Sequence, residues 1–148
     1  MKRSGVLHPE LNAALAVLGH GDVIVLADAG LRIPPGARAI HLEVSCGVPT
    51  MAQVVAAVSE EFVIESATVA REFAEWNPEV YRAVMASLPV SPDEKPHESL
   101  MAEMAARGAL YVKTGECTAY ASVVLVGGVS YFDDAVALHE RLLAERAP

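Results

Sequence analysis

An apolar stretch with turn residues on both sides constrains the fold of this chain more than any other feature. Residues 23–27 read Val-Ile-Val-Leu-Ala, an unbroken apolar run rich in β-branched residues. Such a run is typical of a strand that is covered on both faces, as in a parallel sheet between helices. Gly-His-Gly-Asp at 19–22 precedes the run and Asp-Ala-Gly at 28–30 follows it, so we expect a tight turn at each end of a buried strand.

Helical and strand patterns alternate along the rest of the chain. Spacing of apolar residues predicts helices at 9–18, 51–58, 67–76, 77–88, 98–107 and 133–146, and strands at 40–44, 62–64, 110–112 and 122–126. A polar, Pro-rich connector occupies residues 89–96. The alternation of strands with helices predicts an α/β sandwich with a largely parallel sheet.

The last predicted helix has one apolar side, formed by Val136, His139, Leu142 and Leu143. Two interpretations are open for it. The helix packs this side on its own chain, or it covers an interface between subunits. Ala, Val and Leu account for much of a hydrophobic content of 53%, which suits buried contacts between subunits.

Length and charge narrow the functional classes. With 148 residues the chain fits one domain, residues 1–148, with a real hydrophobic core. A net charge of −8 disfavours nucleic acid and anionic membranes as partners. No apolar run approaches the roughly 20 residues of a membrane helix, and the N-terminus lacks the long apolar segment of a signal peptide. We therefore expect a cytoplasmic protein.

The two cysteines predict no metal site. Cys46 and Cys117 have no Cys-x-x-Cys spacing and no cluster of histidines beside them. We expect both to be reduced in a metal-free protein. Cys117 also has no obvious base beside it, so a catalytic thiol is not expected.

Two polar residues flank the buried strand and are the first candidates for chemistry. His20 lies between two glycines, and histidine is the side chain that most often acts as a general acid or base. A solvated turn histidine is the commoner interpretation of such a residue. Asp28 follows the strand at its carboxyl end, where ligands gather in α/β folds, and could orient a histidine or bind a sugar hydroxyl. A turn aspartate that accepts backbone N–H groups is the alternative.

Two further residues are weaker candidates from their positions alone. His97 precedes a predicted helix and could equally be an exposed N-terminal residue. Tyr120 stands next to the apolar run at 122–126, where a core tyrosine with a satisfied hydroxyl is the usual case. The other histidines, His8, His41 and His139, are interpreted as structural or solvated.

Several motifs in collinear order over residues 4–131 resemble the D-ribose pyranase and L-fucose mutarotase family. They are Gly-His-Gly-Asp at 19–22, Asp-Ala-Gly-Leu-Arg-Ile-Pro at 28–34, Gly-Val-Pro at 47–49 with Gln-Val at 53–54, Asn-Pro at 77–78, and Thr-Gly-Glu-Cys-Thr-Ala-Tyr-Ala at 114–121, followed by an apolar strand and Gly-Val at 128–129. The motif at 28–34 resembles the ribose branch of the family. Residues 132–148 extend beyond the resemblance as an additional C-terminal helix.

The resemblance implies a fold, an activity and an assembly. The fold is a three-layer α/β/α sandwich with a mostly parallel, mixed central sheet. The activity is interconversion of the pyranose and furanose forms, and of the anomers, of a free monosaccharide such as D-ribose, with no cofactor and no metal. The assembly is a homo-oligomer, a decamer of two pentameric rings, in which a neighbouring subunit completes each active site.

The resemblance also assigns roles to residues. His20 is the implied acid–base catalyst, and the implied sugar-binding residues are Asp28, His97, Tyr120, Ala121 and Ser122. Three departures from the family pattern concern the edge of the pocket. Ser122 stands where the family usually has Asn, Met101 stands where the ribose branch often has Lys, and Pro-Asp-Glu-Lys-Pro at 92–96 replaces a strand-like run.

Two other functions stay open beside the ribose pyranase. An L-fucose-type hexose mutarotase is one, because Ser122 and Met101 alter the residues expected around the sugar. A non-catalytic sugar-binding or transport-accessory protein is the other, since a chain can keep the fold and lose turnover. Saturable sugar binding without catalysis of exchange distinguishes the last from both enzymes.

Overall fold

The computed structural model describes residues 2–145 and builds them around one six-stranded sheet. The strands are β1 (Val23–Ala27), β2 (Ala39–His41), β3 (Ile64–Ala70), β4 (Asp93–Lys95), β5 (Leu110–Lys113) and β6 (Val123–Gly127). The helices are α1 (Pro9–Leu15), α2 (Met51–Ser59), α3 (Arg71–Trp76), α4 (Pro78–Met85), α5 (His97–Ala106) and α6 (Phe132–Glu145).

The sheet is mixed, and its order is β2-β5-β1-β6-β3-β4. β5 pairs in parallel with β1 and β2, and β3 pairs in parallel with β4, whereas β6 runs antiparallel to both of its neighbours. All strands except β6 therefore point the same way. Their carboxyl ends therefore lie together. We call this end of the strands the Asp28 edge, and β6 begins there. At the opposite edge, which we call the His20 edge, β1 and β3 begin and β6 ends.

Helices cover both faces of the sheet, which confirms the predicted three-layer sandwich. Ile24 and Leu26 of β1 face a core that contains side chains of α1, α2, α3 and α4. Val23, Val25 and Ala27 face a second core, to which α5 contributes Leu100 and Met104. All five β1 residues are buried, because side chains alternate between two covered faces.

The start and the buried face of α2 are confirmed. Thr50 and Gln53 form a capping box, in which each side chain accepts a hydrogen bond from the backbone N–H of the other residue. The apolar residues whose spacing predicted this helix are buried. They are Met51, Val54, Val55 and Val58.

Two predicted boundaries in the middle of the chain are wrong. Residues 67–70 belong to β3 and not to a helix, which begins only at Arg71. This segment pairs with β6 on one side and β4 on the other, and this tertiary pairing overrides its helix-compatible composition. The expectation of a connector without a strand at 89–96 is wrong for the same reason, since Asp93–Lys95 forms β4 on the sheet edge.

The first helix and the second strand are shorter than predicted. α1 begins with Pro9 at its first position, as expected, but it ends at Leu15 and not at residue 18. β2 covers only residues 39–41 of the predicted 40–44. Two loops bring Cys46 and Cys117 together as a pair, with their Cα atoms 5.7 Å apart. The pairing follows from a close backbone approach, in which the Gly47 N–H donates to the Gly115 carbonyl at 2.6 Å.

The apolar side of α6 lies open to solvent. Val136, Leu142 and Leu143 are 41–54% exposed, and His139 is exposed too, so the packing of this side on its own chain is not found. Residues 146–148 of the predicted C-terminal extension lie outside the described residues. Among the helices that the structure describes, none combines the length and the apolar character needed to cross a membrane.

Candidate active site

The Asp28 carboxylate follows β1 directly and is held by its own chain. Its Oδ1 accepts a hydrogen bond from the Gly30 N–H at 2.9 Å, and its Oδ2 accepts one from the Ser122 hydroxyl at 2.7 Å. The side chain is almost buried, with 9% of the residue exposed. A carboxylate offers about four lone-pair positions. Asp28 therefore keeps acceptor capacity for a ligand hydroxyl while its orientation is determined by two internal donors.

Ser122 holds Asp28. Its hydroxyl oxygen also accepts a hydrogen bond from the Asp28 N–H at 3.1 Å, so the serine contacts the backbone and the side chain of the same residue. Only 2% of Ser122 is exposed, and Ala121 is fully buried. The antiparallel pairing of β1 with β6 causes this contact, because the end of one strand lies beside the start of the other. Sugar contacts by Ser122 and Ala121 stay predictions, and the Ala121 side chain is not accessible for one.

Tyr120 sits in a left-handed backbone conformation next to the same strand. Its φ of +63° is uncommon for a non-glycine residue and occurs mostly in turns. The turn is held by the Asn77 side-chain amide, which donates to the Ala119 carbonyl at 2.9 Å. The tyrosine ring lies edge-on to the His97 ring, with centroids 5.0 Å apart, and edge-on to the Trp76 ring at 5.5 Å. We call these three rings the aromatic cluster.

His97 reaches this edge because it begins α5 immediately after β4. Its backbone N–H donates to the Glu72 carboxylate at 3.0 Å, which connects the first turns of α5 and α3. Farther along α5, Lys95 of β4 donates a hydrogen bond to Glu103, and this contact holds the pKa of the Glu103 carboxyl below its ordinary value. The backbone at the start of α5, which carries the His97 ring, is thus held against α3.

Trp76 and Glu116 also lie at this edge, and neither was predicted from the sequence. Trp76 ends α3 and is 66% exposed. A large aromatic residue beside polar groups is typical of the lining of a ligand site. Glu116 is buried, and its carboxylate accepts hydrogen bonds from the N–H groups of Met51 and Thr118 at 3.2 Å. Glu116 therefore caps the start of α2. Its only signal in the sequence is its place within the motif at 114–121.

His20 lies at the opposite edge, in a turn that is anchored to the end of β6. The Gly21 N–H donates to the Gly127 carbonyl at 2.8 Å, and the Gly127 N–H donates to the Asp22 carbonyl at 2.9 Å. A Cβ atom on Gly127 would lie 2.6 Å from the Gly19 carbonyl oxygen, so this approach requires glycine. The turn presents the imidazole at the surface, with 62% of the His20 side chain exposed.

A groove of about 520 Å³ opens at the His20 edge. The residues that line it are His20, Val63, Glu65, Gly128, Val129 and Phe132. The His20 Nε2 atom lies 2.7 Å from a Glu65 carboxylate oxygen. An imidazole beside a carboxylate, in a groove with apolar walls, can transfer protons to and from a bound hydroxyl.

The structure therefore divides the predicted site residues between two edges. Asp28, His97, Tyr120, Ala121 and Ser122 come together at the Asp28 edge, beyond the carboxyl ends of the strands. His20 does not join them, because β1 stands between His20 and Asp28 and its five residues alone span about 15 Å. Within residues 2–145, no group of three or more His, Cys, Asp or Glu side chains is arranged to hold a metal ion.

Comparisons with known proteins agree with the motifs. Residues 1–130 match the model of the RbsD / FucU transport protein family. The chain is 44% identical to a D-ribose pyranase of Paracidovorax citrulli over 131 residues, which are 88% of this chain and 100% of that protein. It is 41% identical to a D-ribose pyranase of Variovorax paradoxus, with the same coverage of both chains. The structure of Bacillus subtilis RbsD complexed with D-ribose is similar, with a TM-score of 0.80, 33% identity, and coverage of 87% of this chain and 98% of that one.

Proposed function

The chain belongs to the RbsD / FucU transport protein family, and from that premise we propose that it is a D-ribose pyranase. It interconverts the pyranose and furanose forms, and the anomers, of free D-ribose in the cytoplasm, with no cofactor. The main observation in favour of this proposal is that the chain is 44% identical, over the full length of the relative, to a protein named D-ribose pyranase. Residues 132–145, which follow the matched region, add one helix, and its first residue, Phe132, lines the groove at the His20 edge.

The chemistry requires two proton transfers in each direction. Ring opening removes a proton from the anomeric hydroxyl and delivers a proton to the ring oxygen, which gives the open aldehyde. Reclosure through a different hydroxyl reverses both transfers and produces the other ring size. A single imidazole can perform these steps, since it can both accept and donate a proton, and each positioned transfer contributes on the order of 10²–10⁴ in rate. His20 is the group that we assign to them.

The sugar is held at the Asp28 edge. Asp28 accepts hydrogen bonds from sugar hydroxyls, and His97 and Tyr120 orient other hydroxyls beside it. The support is geometric, since Asp28 is held by two internal donors and the rings of His97 and Tyr120 are in contact. A binding site built from groups that are already held loses little conformational entropy when the ligand binds.

A complete site then requires two subunits. His20 and Asp28 lie at opposite edges of the same sheet, so His20 of one chain meets the sugar that is bound at the Asp28 edge of another. This is a head-to-tail contact, which closes into a ring when the rotation between subunits allows it. A decamer of two pentameric rings is the assembly we propose. The proposal is supported by the separation of the two edges and by the exposed apolar side of α6.

Exchange spectroscopy tests the function directly. We expect the purified protein to accelerate exchange between the pyranose and furanose signals of D-ribose in a saturation-difference NMR experiment. Saturable ribose binding without acceleration would instead indicate a non-catalytic sugar-binding protein. Acceleration with L-fucose and not with D-ribose would indicate the hexose mutarotase.

Mixed oligomers test the division of the site between subunits. His20→Ala and Asp28→Asn chains, each nearly inactive alone, are unfolded and refolded together in equal amounts. Random assembly pairs an intact His20 with an intact Asp28 at about a quarter of the head-to-tail contacts, and we expect exchange to recover accordingly. Recovery that stays at the level of the separate variants would show that both residues act within one chain. Light scattering confirms that the mixed assembly matches the native one in size.

Ser122 offers a test of how Asp28 is held. Replacing Ser122 with alanine removes one donor and one acceptor from Asp28. Hydrogen bonds to charged groups contribute about 1.5–3 kcal/mol, and we expect the affinity for D-ribose to fall about tenfold in calorimetric titration. Ser87→Ala is the matched control, because that hydroxyl follows α4 and donates to the Ala83 carbonyl in the last turns of that helix. Equal affinities in the two variants would contradict a role for Ser122 in holding Asp28.

A further inference from the structure

Glu65 occupies an irregular position in β3, at the His20 edge. The pairing of β3 with β6 shifts register between Ile64 and Ser66, which leaves Glu65 as the extra residue of a β-bulge. Bulges turn a side chain away from the regular alternation of a strand and are common next to active sites. Glu65 is exposed, whereas Ile64 before it is buried. The bulge therefore directs the Glu65 side chain towards the turn that carries His20.

The end of β6 leaves room for this side chain. A Cβ atom on Gly128 would lie 3.2 Å from the Glu65 Cβ and 3.2 Å from the Val63 Cγ1. That is tighter than ordinary contact, so a larger residue at this position would displace Glu65 or Val63. The Gly128 N–H also donates to the Val63 carbonyl at 2.8 Å, which holds β6 against the start of β3. Backbone contacts thus determine where the Glu65 side chain lies.

The contact between Glu65 and His20 is short and lies in the groove. The His20 Nε2 atom is 2.7 Å from the carboxylate, and both residues line the groove together with Phe132. A second exposed pair, His41 and Glu43, has a similar separation of 2.6 Å through Nδ1 of the histidine. That pair lies at the end of β2, which is an outermost strand of the sheet, and neither residue lines the groove. The chain thus supplies an internal comparison between a histidine–carboxylate pair inside the groove and one outside it.

We propose that Glu65 is a positioning residue for catalysis, which holds the His20 imidazole in one tautomer and one orientation. This rests on the proposed function of His20. A carboxylate accepts but does not donate, so it selects the tautomer in which Nε2 carries the proton. Nδ1 is then the basic nitrogen that takes the proton of the anomeric hydroxyl. The imidazolium that forms in this step is stabilised by the adjacent negative charge, and it returns the proton to the ring oxygen.

The test compares Glu65→Gln and Glu65→Ala with the wild type in the full assembled protein. Glutamine has the same shape but no charge, so it loses the stabilisation of the imidazolium. We expect kcat for ribose exchange to fall on the order of 10- to 100-fold in both variants, while KM stays near the wild-type value. We also expect the ¹⁵N signals of the His20 ring in the wild type to show the tautomer with the proton on Nε2. Glu43→Gln is the matched control and should leave both measurements unchanged.

The possible results separate this proposal from the proposed function. A wild type that accelerates exchange, with both Glu65 variants equally fast, overturns the role of Glu65 and leaves the function intact. A rise in KM with unchanged kcat makes Glu65 a sugar contact and also overturns the positioning role. A wild type without exchange activity overturns the function, and with it any catalytic role for Glu65. A ¹⁵N pattern of the wild type with the proton on Nδ1 refutes the selection of the tautomer in every case.

Discussion

Replacing His20 with alanine is expected to lower the rate of pyranose–furanose exchange by on the order of 10²–10⁴, with little change in the affinity for D-ribose. The expected loss is large because we assign both proton transfers to this one imidazole. Affinity should change little because the hydrogen bonds that hold the sugar are assigned to Asp28, His97 and Tyr120, whereas His20 is assigned only the proton transfers. Saturation-difference NMR measures the rate, and calorimetric titration measures the affinity.

His41→Ala is the appropriate control for this variant. The side chains of His41 and His20 are similarly exposed, and each lies against a glutamate. Loss of an exposed histidine alone should therefore affect both variants equally. Exchange at the wild-type rate in His20→Ala would refute the assignment of His20 as the acid–base residue. Loss of ribose binding in the same variant would show that His20 also holds the sugar and does not act only in proton transfer.

Replacing Asp28 with asparagine is expected to weaken D-ribose binding about 10- to 100-fold, since a charged hydrogen bond contributes about 1.5–3 kcal/mol. Asparagine keeps an oxygen for the Gly30 N–H but brings an amide NH₂ against the Ser122 hydroxyl, which now donates to a carboxylate oxygen. The side chain loses both its charge and one acceptor. The affinity is measured by calorimetric titration, and thermal unfolding shows how much of the change comes from the fold.

Asp93→Asn controls for the loss of one negative charge elsewhere on the sheet. Asp93 is exposed and begins β4, so its replacement should change neither affinity nor thermal stability appreciably. If Asp28→Asn bound ribose as tightly as the wild type, Asp28 would be a structural turn residue only. The hydrogen bond from the Gly30 N–H to Asp28, taken alone, is typical of such a turn aspartate.

The predictability of the fold depended on how much of each element was specified locally. β1 was recognised because every one of its side chains is apolar, and α2 was recognised because its apolar residues recur at helical spacing. The residues of β3 and β4 carry no comparable local signal. Asp-Glu-Lys at 93–95 becomes a strand only because β3 lies beside it and offers its backbone groups.

The candidate site was likewise predictable only in the features that are specified locally. The motif around His20 and Asp28 is visible in the sequence, and so is its resemblance to a family of sugar isomerases. Neither the distance between these two residues nor their partners can be obtained from the motif. Ser122 is 94 residues from Asp28 along the chain, and the contact exists because β6 runs antiparallel to β1.

The sequence by itself determined the family, the buried strand, and the pair of residues that flank it. These properties depend on residue types and short spacings, which are read directly along the chain. Only the tertiary structure decided that the two residues stand at opposite edges, that Ser122 holds Asp28, and that a bulge directs Glu65 to His20. The physical reason is that strand direction, register and bulges arise from pairing between distant segments, and a single extra residue in a pairing decides where a side chain lies.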